Sequence, residues 1–239
     1  MEKHTYAFSD LHGMYDLWAQ IRDYAQPQDT LIFLGDAIDR GPDGIKIMQE
    51  LLDDPRVIYI RGNHEDMMID AWENPFDLPL WKANGANTTR KGLMHLPHTE
   101  RVELVSKLKY KTKEFYVYYS NDKTIFLTHS GFTPEIDVEP NDIVWNRRHI
   151  KEKWAEDNEL KNIYIVHGHT IVWTLDSYNP SLNPKRAAAA IQYCDGHKID
   201  IDMGSAFTGR ACLLNLDTFE PIYFDIDNFN KIEYNNYIK

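Results

Sequence analysis

Two carboxylates and a guanidinium lie within one seven-residue stretch, residues 35–41, which reads Gly-Asp-Ala-Ile-Asp-Arg-Gly. Its glycines allow the backbone to come close to a bound ion or phosphate. Asp36 and Asp39 are three residues apart, so a tight turn can direct both side chains into one cleft. Arg40 beside them is a planar cation that suits a phosphate group. The stretch therefore predicts a site for metal and phosphate, in which Asp36 bridges two metal ions.

Further clusters carry side chains of the same kind. Residues 9–13 (Ser-Asp-Leu-His-Gly) place a carboxylate and an imidazole two residues apart, and residues 61–65 read Arg-Gly-Asn-His-Glu. Two histidines, His129 and His169, each follow a predicted strand later in the chain. The candidate metal ligands of all these clusters are Asp10, His12, Asp36, Asn63, His129 and His169.

These candidate ligands combine oxygen and imidazole groups. The set contains no thiolate, which disfavours a structural zinc site. It suits two divalent cations in a catalytic role, with manganese as the first choice and iron or zinc as alternatives. Two such ions about 3.5–4 Å apart, sharing one carboxylate, would hold a bridging hydroxide that attacks phosphorus at neutral pH.

Phosphoryl transfer requires two further kinds of group: cations that contact the phosphate oxygens, and an acid that protonates the leaving oxygen. Arg40, Arg61 and Arg147 are the candidates for the first role. His64 is the candidate general acid. Asp39 is the carboxylate expected to orient the His64 ring and to raise its pKa.

Short apolar runs precede each of the first three clusters. Residues 6–8, 30–34 and 57–60 are predicted strands, and amphipathic helices are predicted to begin near Asp16 and Pro42. This βαβαβ order predicts a parallel sheet with right-handed crossovers. Such sheets bind ligands at the carboxyl ends of their strands, which is where all three clusters fall. The clusters are therefore expected to form one composite site.

The remaining chain is predicted to complete a single domain, residues 1–239. Residues 70–110 are predicted to form a helical cap or insertion, and its first part, residues 70–98, to form one wall of the substrate groove. Three apolar runs, separated by turns, lie at residues 199–202, 211–216 and 221–224. They predict an antiparallel or mixed second sheet.

Composition and charge narrow the class of partners. The chain of 239 residues has a net charge of −11, which argues against general binding to nucleic acid or acidic membranes. No apolar stretch reaches about 18 residues, and the start of the chain lacks an apolar signal segment. Cys194 and Cys212 lack metal-type spacing and are predicted to be reduced thiols. A cytoplasmic protein with a phosphorylated protein or small phosphoester as substrate is expected, without nucleic-acid or membrane partners.

The three motifs together resemble the signature of the phosphoprotein phosphatases, within the calcineurin-like metallophosphoesterase family. That signature reads Gly-Asp-x-His-Gly, Gly-Asp-x-x-Asp-Arg-Gly and Gly-Asn-His-Glu. Residues 9–13 differ by a serine in place of the first glycine, whereas the second and third motifs are complete. Residues 129–131 (His-Ser-Gly) and 168–170 (Gly-His-Thr) resemble the later metal-binding motifs, with serine in place of alanine in the former. The pattern Trp145-x-Arg147 is most similar to the bacterial and bacteriophage-lambda type of serine/threonine phosphatase.

The resemblance implies an α/β fold of two packed mixed β-sheets flanked by helices. It implies a binuclear metal centre in which Asp36 is shared by both ions. The first ion would be bound by Asp10, His12 and Asp36, and the second by Asp36, Asn63, His129 and His169. The implied general acid and its partner are His64 and Asp39, and the implied phosphate contacts are Arg40, Arg61 and Arg147. The implied activity is hydrolysis of phosphoserine and phosphothreonine in proteins.

Two other activities stay open at this point. A hydrolase of diadenosine polyphosphates is the first alternative, because relatives with that activity share the metal motifs. A non-catalytic phosphate-binding module is the second, but it would require the loss of a ligand or of the general acid, and the sequence shows no such loss. His167 competes with His169 as a ligand, and Arg148 competes with Arg147; the motifs favour His169 and Arg147. Nothing in the sequence sets an oligomeric state.

Overall fold

Two five-stranded mixed β-sheets and their flanking helices make up the part of the chain described by the computed structural model. That part comprises residues 2–133, 142–152, 160–179 and 189–227. The strands of the first sheet are β1 (Thr5–Phe8), β2 (Thr30–Phe33), β3 (Val57–Tyr59), β9 (Arg210–Asn215) and β10 (Pro221–Asp225). Those of the second are β4 (Phe115–Ser120), β5 (Lys123–Thr128), β6 (Ile163–His167), β7 (Ile191–Tyr193) and β8 (Lys198–Asp200). The expected fold class is confirmed.

Helices connect and cover the sheets. They are α1 (Tyr15–Tyr24), α2 (Gly44–Asp53), α3 (Asn63–Glu73), α4 (Leu78–Ala83), α5 (Asn87–His95), α6 (His98–Lys111), α7 (Asp142–Trp145), α8 (Leu175–Tyr178) and α9 (Ser205–Thr208). Within the described ranges, no helix combines the length and the apolar character needed to cross a bilayer.

The first sheet has the order β10-β9-β1-β2-β3. Strands β1, β2 and β3 pair in parallel, as the βαβαβ pattern predicted, and β9 adds antiparallel to β1. The second sheet has the order β4-β5-β6-β8-β7, with β5, β6 and β8 parallel. Parallel strands of both sheets therefore present their carboxyl ends to the site.

The last third of the chain corrects one expectation. We expected residues 211–216 and 221–224 to join the second sheet, but they form β9 and β10 of the first. Only the run at 199–202 contributes to the second sheet, through β8. Strand periodicity identifies which residues share a face but not which strand lies alongside.

The core lies in two layers, one on each side of the first sheet. In β2, Leu31 and Phe33 pack against the helices. Ile32, in the same strand, and Leu34, which follows it, pack against the second sheet. A strand that is buried on both faces has a continuous apolar sequence, as this run does. The two layers hold the strand ends, and hence the loops that follow them, in one rigid frame.

Helices α4, α5 and α6 follow the third motif and occupy the region predicted as a helical cap. The cap is attached to the core by Trp81 and Leu93, both buried in the cluster on the helical side of the first sheet. Gly92 lies against α2, where a Cβ atom would be 2.8 Å from Ile45 Cγ1. The cap helices therefore pack on the same layer that supports the site.

Candidate metal and phosphate site

The loops after the strands turn sharply, and this directs their polar side chains into one cavity. Six non-glycine residues in these loops have a left-handed backbone. Their φ angles are 50° at Asp10, 43° at His12, 64° at Asp36, 70° at Asp39, 63° at Arg40 and 66° at His169. Such conformations cost free energy and persist where the surroundings hold them. Every one of these residues was a candidate from the sequence.

The Asp36 carboxylate lies at the centre of the site. Its Oδ2 is 3.5 Å from His12 Nε2, and its Oδ1 is 3.5 Å from His129 Nε2. Oδ1 also accepts the backbone N–H of His64 at 3.1 Å. Burial raises the pKa of the Asp36 carboxyl well above its usual range, and the nearby carboxylates of Asp10 and Glu65 raise it further. A cation at this position would remove that electrostatic cost.

The imidazole rings are oriented by backbone carbonyls. His12 Nδ1 donates to the carbonyl of Ile38 at 2.9 Å, and His129 Nδ1 donates to that of Leu34 at 2.7 Å. A carbonyl can only accept, so each Nδ1 carries the proton and each Nε2 presents a lone pair. Metal-binding histidines are held in the same way.

Asn63 brings two further rings together. Its Oδ1 lies 2.9 Å from His129 Nε2 and 3.0 Å from His169 Nδ1. Because His129 Nε2 already presents a lone pair, the Asn63 oxygen faces another acceptor. His169 Nε2 is buried and has no hydrogen-bond partner within the described residues. A cation bound among these atoms would satisfy their lone pairs.

The site geometry fits divalent cations. Ligand atoms of His12, Asp36 and His64 lie within 4.8 Å of one another, as do those of Asp36, His129 and His169. Asp36 belongs to both groups. The sixth candidate ligand, Asp10, has its Oδ1 3.9 Å from His12 Nε2, while its Oδ2 accepts the backbone N–H of His169 at 3.0 Å. The structure thus brings all six candidate ligands together.

The three candidate arginines differ in position. Arg40 and Arg147 line a cavity of about 230 Å³ together with Asp10, His12, Asp36, Asn63, His64 and His169. Arg40 contacts His12 Nε2 and lies 3.2 Å from His64 Nε2. Arg61 does not line this cavity within the described residues; its guanidinium pairs with Asp66 instead.

The structure distinguishes His167 from His169, and Arg147 from Arg148, by their positions relative to the cavity. His167 Nε2 lies 2.7 Å from the Tyr193 hydroxyl, and its Nδ1 donates to the Gly168 carbonyl, so its ring is engaged away from the metal candidates. His169 lines the cavity. Arg147 lines it as well, whereas Arg148 borders a neighbouring pocket.

Asp39 and His64 form a buried pair. His64 Nδ1 lies 2.7 Å from Asp39 Oδ2, and His64 Nε2 faces the cavity. Burial raises the pKa of the Asp39 carboxyl to about 7, while hydrogen bonds from Thr89 and Trp81 and the charge of Arg40 act in the opposite direction. Burial, followed by the charge of Arg40, holds the pKa of His64 well below its usual range, which is opposite to the increase expected from Asp39.

Glu65 fastens the second and third motifs to each other. Its carboxylate is fully buried and accepts the backbone N–H groups of Asp36, Ala37 and Gly62 at 2.8, 2.8 and 2.9 Å. It also accepts the Tyr59 hydroxyl at 3.0 Å. Glu65 therefore caps the first turn of α3 and braces the second motif against the third.

The Glu65→Ala variant is expected to lose at least about 3 kcal/mol of unfolding free energy, because four buried donors lose their acceptor. Urea denaturation of the metal-free protein would measure the loss. Glu100→Gln, an exposed change in the first turn of α6, should stay within about 0.5 kcal/mol of wild type. Equal denaturation midpoints for Glu65→Ala and wild type would contradict the bracing role.

Trp81, Thr89 and Asp202 are polar neighbours of the site that were not among the sequence candidates. Trp81 and Thr89 donate to Asp39, and Asp202 lines the cavity. Asp202 follows β8 in the alternating run Ile-Asp-Ile-Asp, so its strand-end position was a usable signal. Trp81 and Thr89 carried no such signal, because they lie on cap helices far from the motifs in sequence.

Comparison with known proteins agrees with this geometry. A family model described as calcineurin-like phosphoesterase matches residues 3–201. This chain therefore belongs to the calcineurin-like phosphoesterase family, and the family resemblance of the motifs is confirmed. The family uses divalent metal ions, and the cluster around Asp36 can bind them.

Individual relatives define the enzyme class. Serine/threonine-protein phosphatase 2 of Escherichia coli strain K12 is 24% identical over 223 residues, which cover 87% of this chain and 90% of that protein. The asymmetrical bis(5′-nucleosyl)-tetraphosphatase PrpE of Halalkalibacterium halodurans is 27% identical over 241 residues, covering 88% and 89%. The chain is a phosphatase-like metallophosphoesterase, which confirms the expected enzyme class.

Structural similarity supports the fold. The crystal structure of a metallophosphoesterase from Sphaerobacter thermophilus has a TM-score of 0.58 against this chain at 13% identity. The match covers 98% of this chain and 92% of that one. The two-sheet architecture is thus shared well beyond the motifs.

Proposed function

We propose that this enzyme is a phosphomonoesterase that removes phosphate from phosphoserine and phosphothreonine in proteins. The observation that carries the proposal is the buried Asp39–His64 pair, with His64 Nε2 facing the cavity. A serine or threonine alkoxide is a poor leaving group, so it gains much from a proton donated as the P–O bond breaks. The phosphate leaving group of a nucleotide anhydride is a weaker base and gains less.

The metal-ligand assignment follows the family resemblance, and the contacts around Asp36 support it. One cation would be held by Asp10, His12 and Asp36, and a second by Asp36, Asn63, His129 and His169, with manganese as the first choice. When bound, the two cations would lower the pKa of a water molecule and neutralise charge on the phosphoryl group. The chain itself keeps the ligands in place, since the carbonyls of Ile38 and Leu34 hold two of the rings.

Two arginines are proposed to bind the phosphate oxygens. Arg40 reaches between His12 and His64. Arg147 donates to the carbonyl of His169 at 3.3 Å, and its guanidinium lies 5.9 Å from the centre of the Tyr178 ring. A planar guanidinium matches two phosphate oxygens at once. Arg61 would first have to leave its carboxylate partner, so its role as a third contact stays a prediction.

Hydrolysis of diadenosine tetraphosphate is the second candidate function. It is favoured by a relative named bis(5′-nucleosyl)-tetraphosphatase, whose match covers 88% of this chain. The metal ligands do not separate the two activities, because both require attack on phosphorus. The nature of the leaving group separates them.

A direct comparison of substrates tests the proposal. The manganese-loaded enzyme is expected to show a kcat/KM for a phosphoserine peptide at least about tenfold above that for diadenosine tetraphosphate, because the acid pair assists only the poorer leaving group strongly. A phosphotyrosine peptide completes the panel, and enzyme stripped of metal by a chelator is the blank. A far larger kcat/KM for the dinucleotide would reverse the assignment.

A further inference from the structure

The surroundings of Asp39 come largely from the cap. Its side chain is fully buried. Its Oδ1 accepts the Thr89 hydroxyl at 2.6 Å, and its Oδ2 accepts the Trp81 indole N–H at 2.8 Å. The remaining contact of Oδ2 is with His64 Nδ1 at 2.7 Å. Two of the three donors to this carboxylate therefore belong to helices α4 and α5.

The Thr89 hydroxyl has two functions at once. It accepts the backbone N–H of Asp39 at 2.8 Å and donates to the carboxylate of the same residue. Only a group that both donates and accepts can do this. Asp39 has the left-handed backbone described above. The hydroxyl therefore holds a strained residue through hydrogen bonds to both its main chain and its side chain.

The turn between the two cap helices supports the next residue in the same way. The carbonyl of Gly85 accepts the backbone N–H of Arg40 at 3.1 Å. Arg40 is also left-handed, so two successive strained residues of the second motif are held by one cap segment. Gly85 has φ of 99° and leaves room for the Arg40 side chain, whose Cγ would be 3.2 Å from an added Cβ.

We infer that Trp81 and Thr89 are positioning residues for the reaction: they hold Asp39 and, through it, the ring of His64. The inference rests on the roles proposed above for Asp39 and His64. The indole N–H of Trp81 can only donate, so it fixes Oδ2 as an acceptor and leaves that oxygen aimed at His64 Nδ1. His64 Nδ1 then keeps its proton toward Asp39, and the proton given to the leaving oxygen is a second one, carried on Nε2, which points into the cavity. The cap thereby orients the acid as well as bordering the cavity.

The test combines three substitutions with a matched control. Thr89→Val keeps the shape of the side chain and removes both hydrogen bonds, whereas Thr89→Ser keeps the hydroxyl. Trp81→Phe removes the indole N–H and also shortens a ring packed in the core, so its kinetics are read together with its melting temperature. Thr88→Val is the control, because Thr88 is buried on the same helix and its hydroxyl has no hydrogen-bond partner within the described ranges.

Each variant would be assayed with manganese on a phosphoserine peptide, on phenyl phosphate and on p-nitrophenyl phosphate. Thr89→Val is expected to lower kcat on the phosphoserine peptide about ten- to a hundred-fold with little change in KM. The loss should shrink on phenyl phosphate and shrink further on p-nitrophenyl phosphate, whose leaving group scarcely needs a proton. Trp81→Phe should act in the same direction, Thr89→Ser should recover most of the activity, and Thr88→Val should match wild type.

The inference would be overturned if the folded Thr89→Val and Trp81→Phe variants depended on the leaving group as the wild-type enzyme does. So would a loss of equal size on all three substrates, or one that follows the melting temperature, since either would assign a structural role. If Thr89→Val fails to fold, Trp81→Phe decides alone. If the wild-type enzyme does not hydrolyse the phosphopeptide, the proposed substrate class fails, while the ratio between the two aryl phosphates still decides the inference.

Discussion

Replacing Asp36 by alanine is expected to lower kcat on a phosphoserine peptide several-hundred-fold or more, on the order of the contribution of a metal-activated nucleophile. The reason is its position: its two carboxylate oxygens face His12 on one side and His129 on the other, each at 3.5 Å. No other carboxylate in the described residues belongs to both metal-binding groups. One substitution should therefore disturb both cation sites.

Manganese titration gives a readout besides activity. Wild type is expected to bind two manganese ions per chain, and Asp36→Ala fewer. Asp16→Ala, the same change at an exposed position of α1, should leave both kcat and stoichiometry unchanged. The metal-free Asp36→Ala protein should be at least as stable as metal-free wild type, because burial and two nearby carboxylates disfavour the charge at Asp36. Unchanged turnover together with two bound ions would rule out a bridging role.

Replacing His64 by alanine is expected to lower kcat on the phosphoserine peptide by about 10²- to 10⁴-fold, the range typical of a lost general acid. The effect should be much smaller on p-nitrophenyl phosphate, because its leaving group departs without a proton. The difference between these two substrates is the part of the effect that a general loss of structure would not produce.

The manganese stoichiometry separates the acid role from metal binding. His64 falls within one of the groups that could hold a cation, so its loss could act through the metal. Because all six proposed ligands remain in the variant, His64→Ala is expected to keep the wild-type manganese stoichiometry. His95→Ala, at an exposed residue of the last turn of α5, serves as the control. A His64→Ala enzyme that loses equally on both substrates and binds fewer ions would reassign His64 as a ligand.

Much of the site was predictable because its signals are local in sequence. An alternating or continuous run of apolar residues indicates a strand, and the end of that run shows where the loop begins. Parallel strands then place the following loops at one edge of the sheet. The chemistry is local as well, since a stretch such as residues 35–41 shows its donors directly. For these reasons the six candidate ligands, the pair Asp39 and His64, and the layered α/β fold were predictable before any coordinates.

Other features depend on which segments lie side by side, and local patterns do not determine that. Trp81 and Thr89 reach Asp39 across 42 and 50 residues of chain, so the composition of the cap cannot reveal the contact. Arg61 looks equivalent to Arg40 in sequence, but its guanidinium forms an ion pair with the neighbouring Asp66 on α3. Strand β9 looked like part of the second sheet, but it lies beside β1.

The sequence by itself determined the donor groups, their order and the strand ends that carry them, because each of these is a property of a few consecutive residues. Only the tertiary structure decided which of these groups contact one another. It shows Glu65 joining two motifs, the cap holding Asp39, and Asp66 pairing with Arg61. These arrangements are packing outcomes: they depend on burial and on distances between segments that are remote along the chain.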